Sequence, residues 1–274
     1  MTNKHLNQLA VLTALCVAVS LTGCGGGDEA TTPAPAPSPA PDAGPAPTPA
    51  PAPAPAPSPA PSPAPSPSPA SADSGACFND AMAAPGARWK VTFRDRGLGG
   101  DADGIIRLTE LLGTKTFNGQ AANEYRLTTS QAGNATTVEW SYSQLNSQSF
   151  VQLGWRFAGG VESYIEPGLA TPRVLLQGQS STSSFTTRMS DGSAPAASTR
   201  LTTTYLGRES LTLPAGTFET CKAKFVDQTG ATSLTWTVAS GPYRGIDIRF
   251  ATLNALNGST LWFSEATSIE ANLQ

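Results

Sequence analysis

Few side chains in this chain have the type and spacing for chemistry. Glu162 and Glu166 are its closest midchain carboxylate pair, the set that acid–base cleavage of a glycosidic bond would use. They flank a Pro-Gly turn, where glutamates commonly sit for solvation alone. Asp101-Ala102-Asp103-Gly104-Ile105-Ile106 with Glu110 fits positions three, five, six, eight and twelve of a calcium loop. Position one falls on Gly99 and the flanks read as strands, so a solvated hairpin turn is expected here. The one histidine is His5, near the N-terminus. Beyond it the chain has no imidazole base, no imidazole zinc ligand and no Ser-His or Cys-His nucleophile pair. Gly-x-Ser-x-Gly, phosphate-loop and Ser-x-x-Lys patterns are also missing. The expectation is a protein that is not an enzyme and uses no cofactor.

Cys24 is the residue with the clearest chemistry. Lys4 and the apolar run from Leu9 to Leu21 form a positively charged start and a hydrophobic stretch too short to span a bilayer, which needs about 20 apolar residues. Leu21-Thr22-Gly23-Cys24 follows directly and resembles the lipobox of bacterial lipoproteins at each position. The resemblance implies removal of residues 1–23, diacylglycerol on the Cys24 thiol and an amide-linked acyl chain such as palmitate on its amine. Gly25 stands where an aspartate would mark inner-membrane retention, which implies the outer membrane, with the domain in the periplasm or at the cell surface. Acyl chains bury about 0.8 kcal/mol per methylene, so such an anchor is long-lived.

Residues 24–76 are expected to be a disordered linker. From Thr31 to Ala72 the chain is nearly all Pro-Ala and Pro-Ser, with nothing large and apolar to bury and few backbone donors. Alternating proline favours polyproline II at about 3.1 Å per residue, giving a reach of roughly 120 Å if fully extended. It lacks the aromatic or charged residues that would give a docking partner specificity, so it reads as a spacer.

Residues 77–274 form the expected globular domain. Removing Lys4 from the 17 basic residues, and Asp28, Glu29, Asp42 and Asp73 from the 20 acidic ones, leaves sixteen of each sign. That balance argues against nucleic acid or an anionic surface as partner, and a monomer is expected. Cys77 and Cys221 are the thiols left once Cys16 is cleaved off and Cys24 acylated. In an oxidising compartment they are expected to pair, since neither the close spacing nor the activating environment of a redox pair is visible.

Period-two alternation dominates the domain: Trp89/Val91/Phe93, Val138/Trp140/Tyr142, Val151/Leu153/Trp155/Phe157, Cys221/Ala223/Phe225, Leu234/Trp236/Val238 and Ile246/Ile248/Phe250. Each set belongs to one face of a strand, with polar residues between. Turn pairs recur at Asp103-Gly104, Asn118-Gly119, Gly133-Asn134, Gly159-Gly160, Asp191-Gly192, Gly241-Pro242 and Asn257-Gly258. The pattern predicts an all-β antiparallel meander of about a dozen strands. Phe218 is out of phase with Cys221, Ala223 and Phe225, so a bulge is expected between them if both face the core.

Arg88-Trp89-Lys90-Val91 after Pro85-Gly86, Asn118-Gly119 before Tyr125-Arg126-Leu127, the block Gly207 to Phe218 ending in Pro214-Ala215-Gly216-Thr217-Phe218, and Trp236 before Gly241 together resemble a group of bacterial envelope lipoproteins of unknown function. The resemblance implies a single curved sheet or half-barrel like that of the LolA/LolB carriers, with a concave apolar face. The Pro-Ala-Gly-Thr-Phe block itself reads as a hairpin, with Pro214 setting φ and Gly216 tolerating positive φ. Ser240-Gly241-Pro242-Tyr243-Arg244-Gly245-Ile246 departs from the Gly-Val-Gly-Leu-Val-like run of that group. Two functions are then open. One is a non-catalytic, membrane-anchored protein holding an apolar or lipid-like ligand on its concave face. The alternative is a structural or adhesive envelope protein that binds glycan or a protein through the polar β face.

Overall fold

The computed structural model describes residues 73–273. The lipobox Leu21, Thr22, Gly23 and Cys24 and the proline-rich segment lie outside them. Twelve strands follow one another as antiparallel neighbours: β1 (Arg88–Gly97), β2 (Ala102–Phe117), β3 (Gln120–Ser130), β4 (Thr137–Leu145), β5 (Ser149–Phe157), β6 (Glu162–Pro172), β7 (Ser180–Met189), β8 (Ala197–Leu213), β9 (Gly216–Asp227), β10 (Thr232–Val238), β11 (Asp247–Leu253) and β12 (Thr260–Asn272).

The sheet is not the open half-barrel expected from the sequence. β1 pairs with β12 from Arg88↔Asn272 to Gly97↔Trp262, and the meander closes into a barrel. Closure removes both sheet edges, which would otherwise expose rows of unpaired N–H and C=O groups. Gly97 permits it locally. Its φ is +111°, and a Cβ there would lie 2.3 Å from the Leu261 carbonyl oxygen.

Two further expectations change. Asp103-Gly104 lies inside β2, and the turn before it is made by residues 98–101. No bulge lies between Phe218 and Cys221: the register shift of this pair is on β8, between Tyr205 and Gly207 and opposite Lys222 and Ala223, and β9 runs without a break. Phe218, opposite Leu211, therefore lies on the other face of the strand from Cys221.

Alternation assigns the two faces. On β1, Val91, Phe93 and Asp95 are buried while Arg88 is exposed. The buried set packs with Ile105, Ile248, Phe250 and Ala266 and faces inward. Arg88–Glu110, Lys90–Glu270 and Arg126–Glu110 ion pairs mark the outer face.

Segment 73–87 crosses the end of the barrel where the odd-numbered strands begin. Tyr125 on β3 donates its hydroxyl to the Met82 carbonyl, Asn79 donates to the Arg244 carbonyl in the β10–β11 loop, and Arg173 in the β6–β7 loop pairs with Asp80. These contacts come from well-separated strands, so the segment plugs that end. Cys77 and Cys221 are joined as a disulfide, Cα–Cα 6.1 Å, which fixes the plug to β9. The turn at Pro214-Ala215 between β8 and β9 adds to it: the Ala215 N–H donates to the Ala266 carbonyl of β12, and Leu213 packs with Val91 and Phe93.

Candidate functional site

The inner wall can be read in layers from the strand registers. Leu111, Tyr125, Ser141, Trp155, Ser163 and Met189 lie side by side across β2 to β7. The neighbouring layer holds Trp89, Thr109, Leu127, Glu139 and Phe157 across β1 to β5. Trp155, Phe157, Leu127 and Glu139 are only half-buried there. Inner apolar residues form separate clusters: one around Phe93, Ile105 and Phe250, the other made of Ile165, Phe185 and Leu201 with Trp155, Leu169 and Phe225 against it. An eight-stranded barrel is about the size that side chains can fill, and twelve strands enclose more.

Charges on this wall are strongly perturbed. Glu139 stands between Leu127 and Phe157, and burial pushes its carboxyl up to about 7. Asp95 lies directly across from Ser264. Burial raises its carboxyl, opposed by the Ser264 hydroxyl and the charges of Arg107 and Arg96. The Arg107 guanidinium rests 4.7 Å from the centre of the Phe93 ring and 5.5 Å from that of Phe250, and burial lowers its basicity. Asp247 receives the Thr237 hydroxyl and is pushed up to about 6 by burial.

One seam interrupts the wall. β6 and β7 pair only from Ser163↔Met189 to Glu166↔Thr186. Past Glu166, β6 stays with β5 and the first half of β7 stays with β8. Across the gap the Ser183 hydroxyl donates to the Ala170 carbonyl at 2.6 Å. A cleft of about 430 Å³ lies beside this seam, lined by Ser184, Thr186, Ser198 and Arg200 of the outer face and by Phe185 and Thr199 of the inner one, with Glu166 and Pro167 at its side. Phe185, which belongs to the second inner cluster, is among the lining residues, so the cleft lies directly over apolar side chains of the interior.

The residues singled out in the sequence are dispersed. Glu162 and Glu166 share one strand face but are engaged separately. Glu162 accepts the Tyr164 hydroxyl at 2.6 Å, while Glu166 accepts from Asn118 at 2.9 Å and Arg188 at 3.0 Å. Those two donors lower the Glu166 pKa, the opposite of what a general acid requires. Asp101 and Asp103 both pair with Arg96, and Glu110 pairs with Arg88 and Arg126 on the outer face. Among the described residues no three His, Cys, Asp or Glu side chains group as a metal site would need.

Sequence reasoning passed over Asp95, Arg107 and Glu139. Asp95 continues the Trp89/Val91/Phe93 register, and Arg107 follows Ile105 at the same spacing. For these two a charge at an apolar-parity position was the available signal, whereas Glu139 alternates with Val138, Trp140 and Tyr142 and so sits at a polar-parity position. Arg200 had none.

No protein-family model matches this chain, and no curated protein matches it. Two solved structures are similar in fold. One, from Bacteroides fragilis, is described as an exported protein with a YmcC-like fold; it is 11% identical, with a TM-score of 0.46 over 68% of this chain and 96% of its own. The other, from Parabacteroides distasonis, is described as a lipoprotein; it is 11% identical, with a TM-score of 0.41 over 69% of this chain and 96% of its own.

Proposed function

We propose that this protein is a non-catalytic envelope lipoprotein, anchored in the outer membrane through Cys24, whose barrel holds an apolar or lipid-like ligand. The observation that carries this reading is that apolar Leu127, Trp155 and Phe157 face inward yet stay half-buried, in a barrel of twelve strands where about eight suffice for side chains to fill the interior. Burying such surface against a ligand is favourable by about 25 cal/mol per Å². The test is native mass spectrometry after gentle detergent extraction, together with displacement of the apolar fluorophore N-phenyl-1-naphthylamine. A retained lipid-sized mass and a displaceable probe are expected; absence of both would remove the proposal.

A second reading rests on the outer face of β7 and β8. Ser180–Thr204, Thr182–Thr202 and Thr186–Ser198 form a ladder of exposed hydroxyl pairs, a flat polar surface suited to glycan. Polysaccharide pull-down that is lost in Thr182→Val/Thr202→Val, with lipid retention unchanged, would favour it.

A further inference from the structure

We infer that the ligand is an amphiphile with an anionic head, held at the β6–β7 seam by Arg200, its chain passing Phe185 into the barrel. This rests on the lipid-like reading above and adds where the ligand sits and what charge its head carries.

The seam is where the wall is not closed by backbone hydrogen bonds, and the cleft beside it is within the size range of small-molecule sites, roughly 300 to 1,000 Å³. Its lining combines two chemistries, and the interior lies directly behind it. Outside lie the hydroxyls of Ser184, Thr186 and Ser198; inside lies Phe185, packed with Ile165 and Leu201 and backed by the half-buried Trp155 and Phe225. A molecule polar at one end and hydrocarbon at the other matches that division.

The sign of the head follows from the two charges at the cleft. Glu166 is neutralised by Arg188 and also accepts from Asn118. Arg200 has no such partner. Only its backbone N–H is engaged, donating to the Gln228 side chain, and among the described residues its guanidinium makes no hydrogen bond or ion pair. The cleft therefore presents one uncompensated positive charge with five N–H donors, suited to phosphate or carboxylate oxygens. A cationic head would meet an acid that is already occupied.

The experiment uses residues 24–274 carrying Cys24→Ser, expressed without residues 1–23 so that no acyl group is added. Dodecyl phosphate, laurate, dodecanol and dodecyltrimethylammonium compete with N-phenyl-1-naphthylamine. Dodecyl phosphate or laurate should displace the probe at a concentration at least about tenfold below that of dodecanol, and whichever is tighter separates a phosphate head from a carboxylate. Arg200→Gln, a change at an exposed side chain, should erase that advantage and leave dodecanol unchanged. A brominated dodecanoate should quench tryptophan emission, and Trp155→Phe should remove most of the quenching. Equal displacement by anionic and neutral chains, or an advantage that survives Arg200→Gln, overturns the assignment of the head. Quenching undiminished in Trp155→Phe overturns the placement of the chain. Displacement by none of the four overturns the lipid-like reading itself.

Discussion

Glu139 on β4 lies directly across from Leu127 on β3 and from Phe157 on β5, so its carboxyl meets hydrocarbon on both sides of the inner wall. Burial lifts its pKa from 4.5 to about 7. Between those values the folded chain keeps a proton that the unfolded chain has released, so stability falls as pH rises through this window. Asp247, raised to about 6, contributes in the same direction. Thermal melts should show Tm falling between pH 5 and pH 8. In Glu139→Gln that fall should be clearly shallower, and an unchanged slope would clear Glu139 of the effect.

Gly154 is the closest approach on the outer wall. Its φ is +149°, and a Cβ would lie 2.0 Å from the Ser163 carbonyl oxygen and 2.8 Å from the Phe117 ring. Phe117 sits there because the β2–β3 hairpin folds its tip over β4 to β6. It stacks on Tyr142 at 3.9 Å, and Asn118 at the turn reaches Glu166. Gly154→Ala should destabilise the barrel by about 3 kcal/mol through backbone strain and overpacking. Urea titration measures this; a loss under about 0.5 kcal/mol would mean that the hairpin tip does not press on the wall.

The disulfide closes a loop spanning 144 residues, for which chain entropy gives an upper estimate of about 5 kcal/mol. Cys221→Ser should lower Tm by several degrees, at about 2 to 4 °C per kcal/mol for a domain of this size. In the oxidised wild type no thiol should alkylate in denaturant. In the variant Cys77 should.

Cys24→Ser should abolish acylation, because only the thiol accepts the diacylglycerol. The chain should then stay uncleaved or leave the membrane fraction. Membrane pelleting with an unchanged mature mass would contradict the lipobox reading.

Which parts of this were legible in the sequence follows from what alternation encodes. Period two tells which side chains share a face, and Trp89, Val91 and Phe93 do share one. It does not tell which face is inside. Trp140 and Tyr142 look like core in sequence, and Tyr142 is fully buried, yet both lie on the outer face beneath Phe117 and beside Arg156, whose guanidinium is 4.1 Å from the Trp140 ring centre. Trp236 is similarly outside, covered by Lys222 and Arg249. Aromatic residues on both faces make the faces ambiguous until the hairpin is placed. Closure was invisible for a different reason: pairing of β1 with β12 joins the two ends of the domain, and no local pattern records it. The seam cleft was unreadable because it depends on where β6 leaves β7, a matter of strand path.

The junction between the plug and β9 has a mechanical consequence. A pull on the chain from the N-terminal side of residue 73 meets the Cys77–Cys221 bond before it reaches Arg88. Tension then enters β9, four positions around the barrel from β1 and held by ladders to β8 and β10. Reducing the bond moves the point where tension enters to Arg88, at the start of β1, which is itself held by ladders to β12 and β2. With the bond oxidised the load falls first on β9; with it reduced, it falls first on β1.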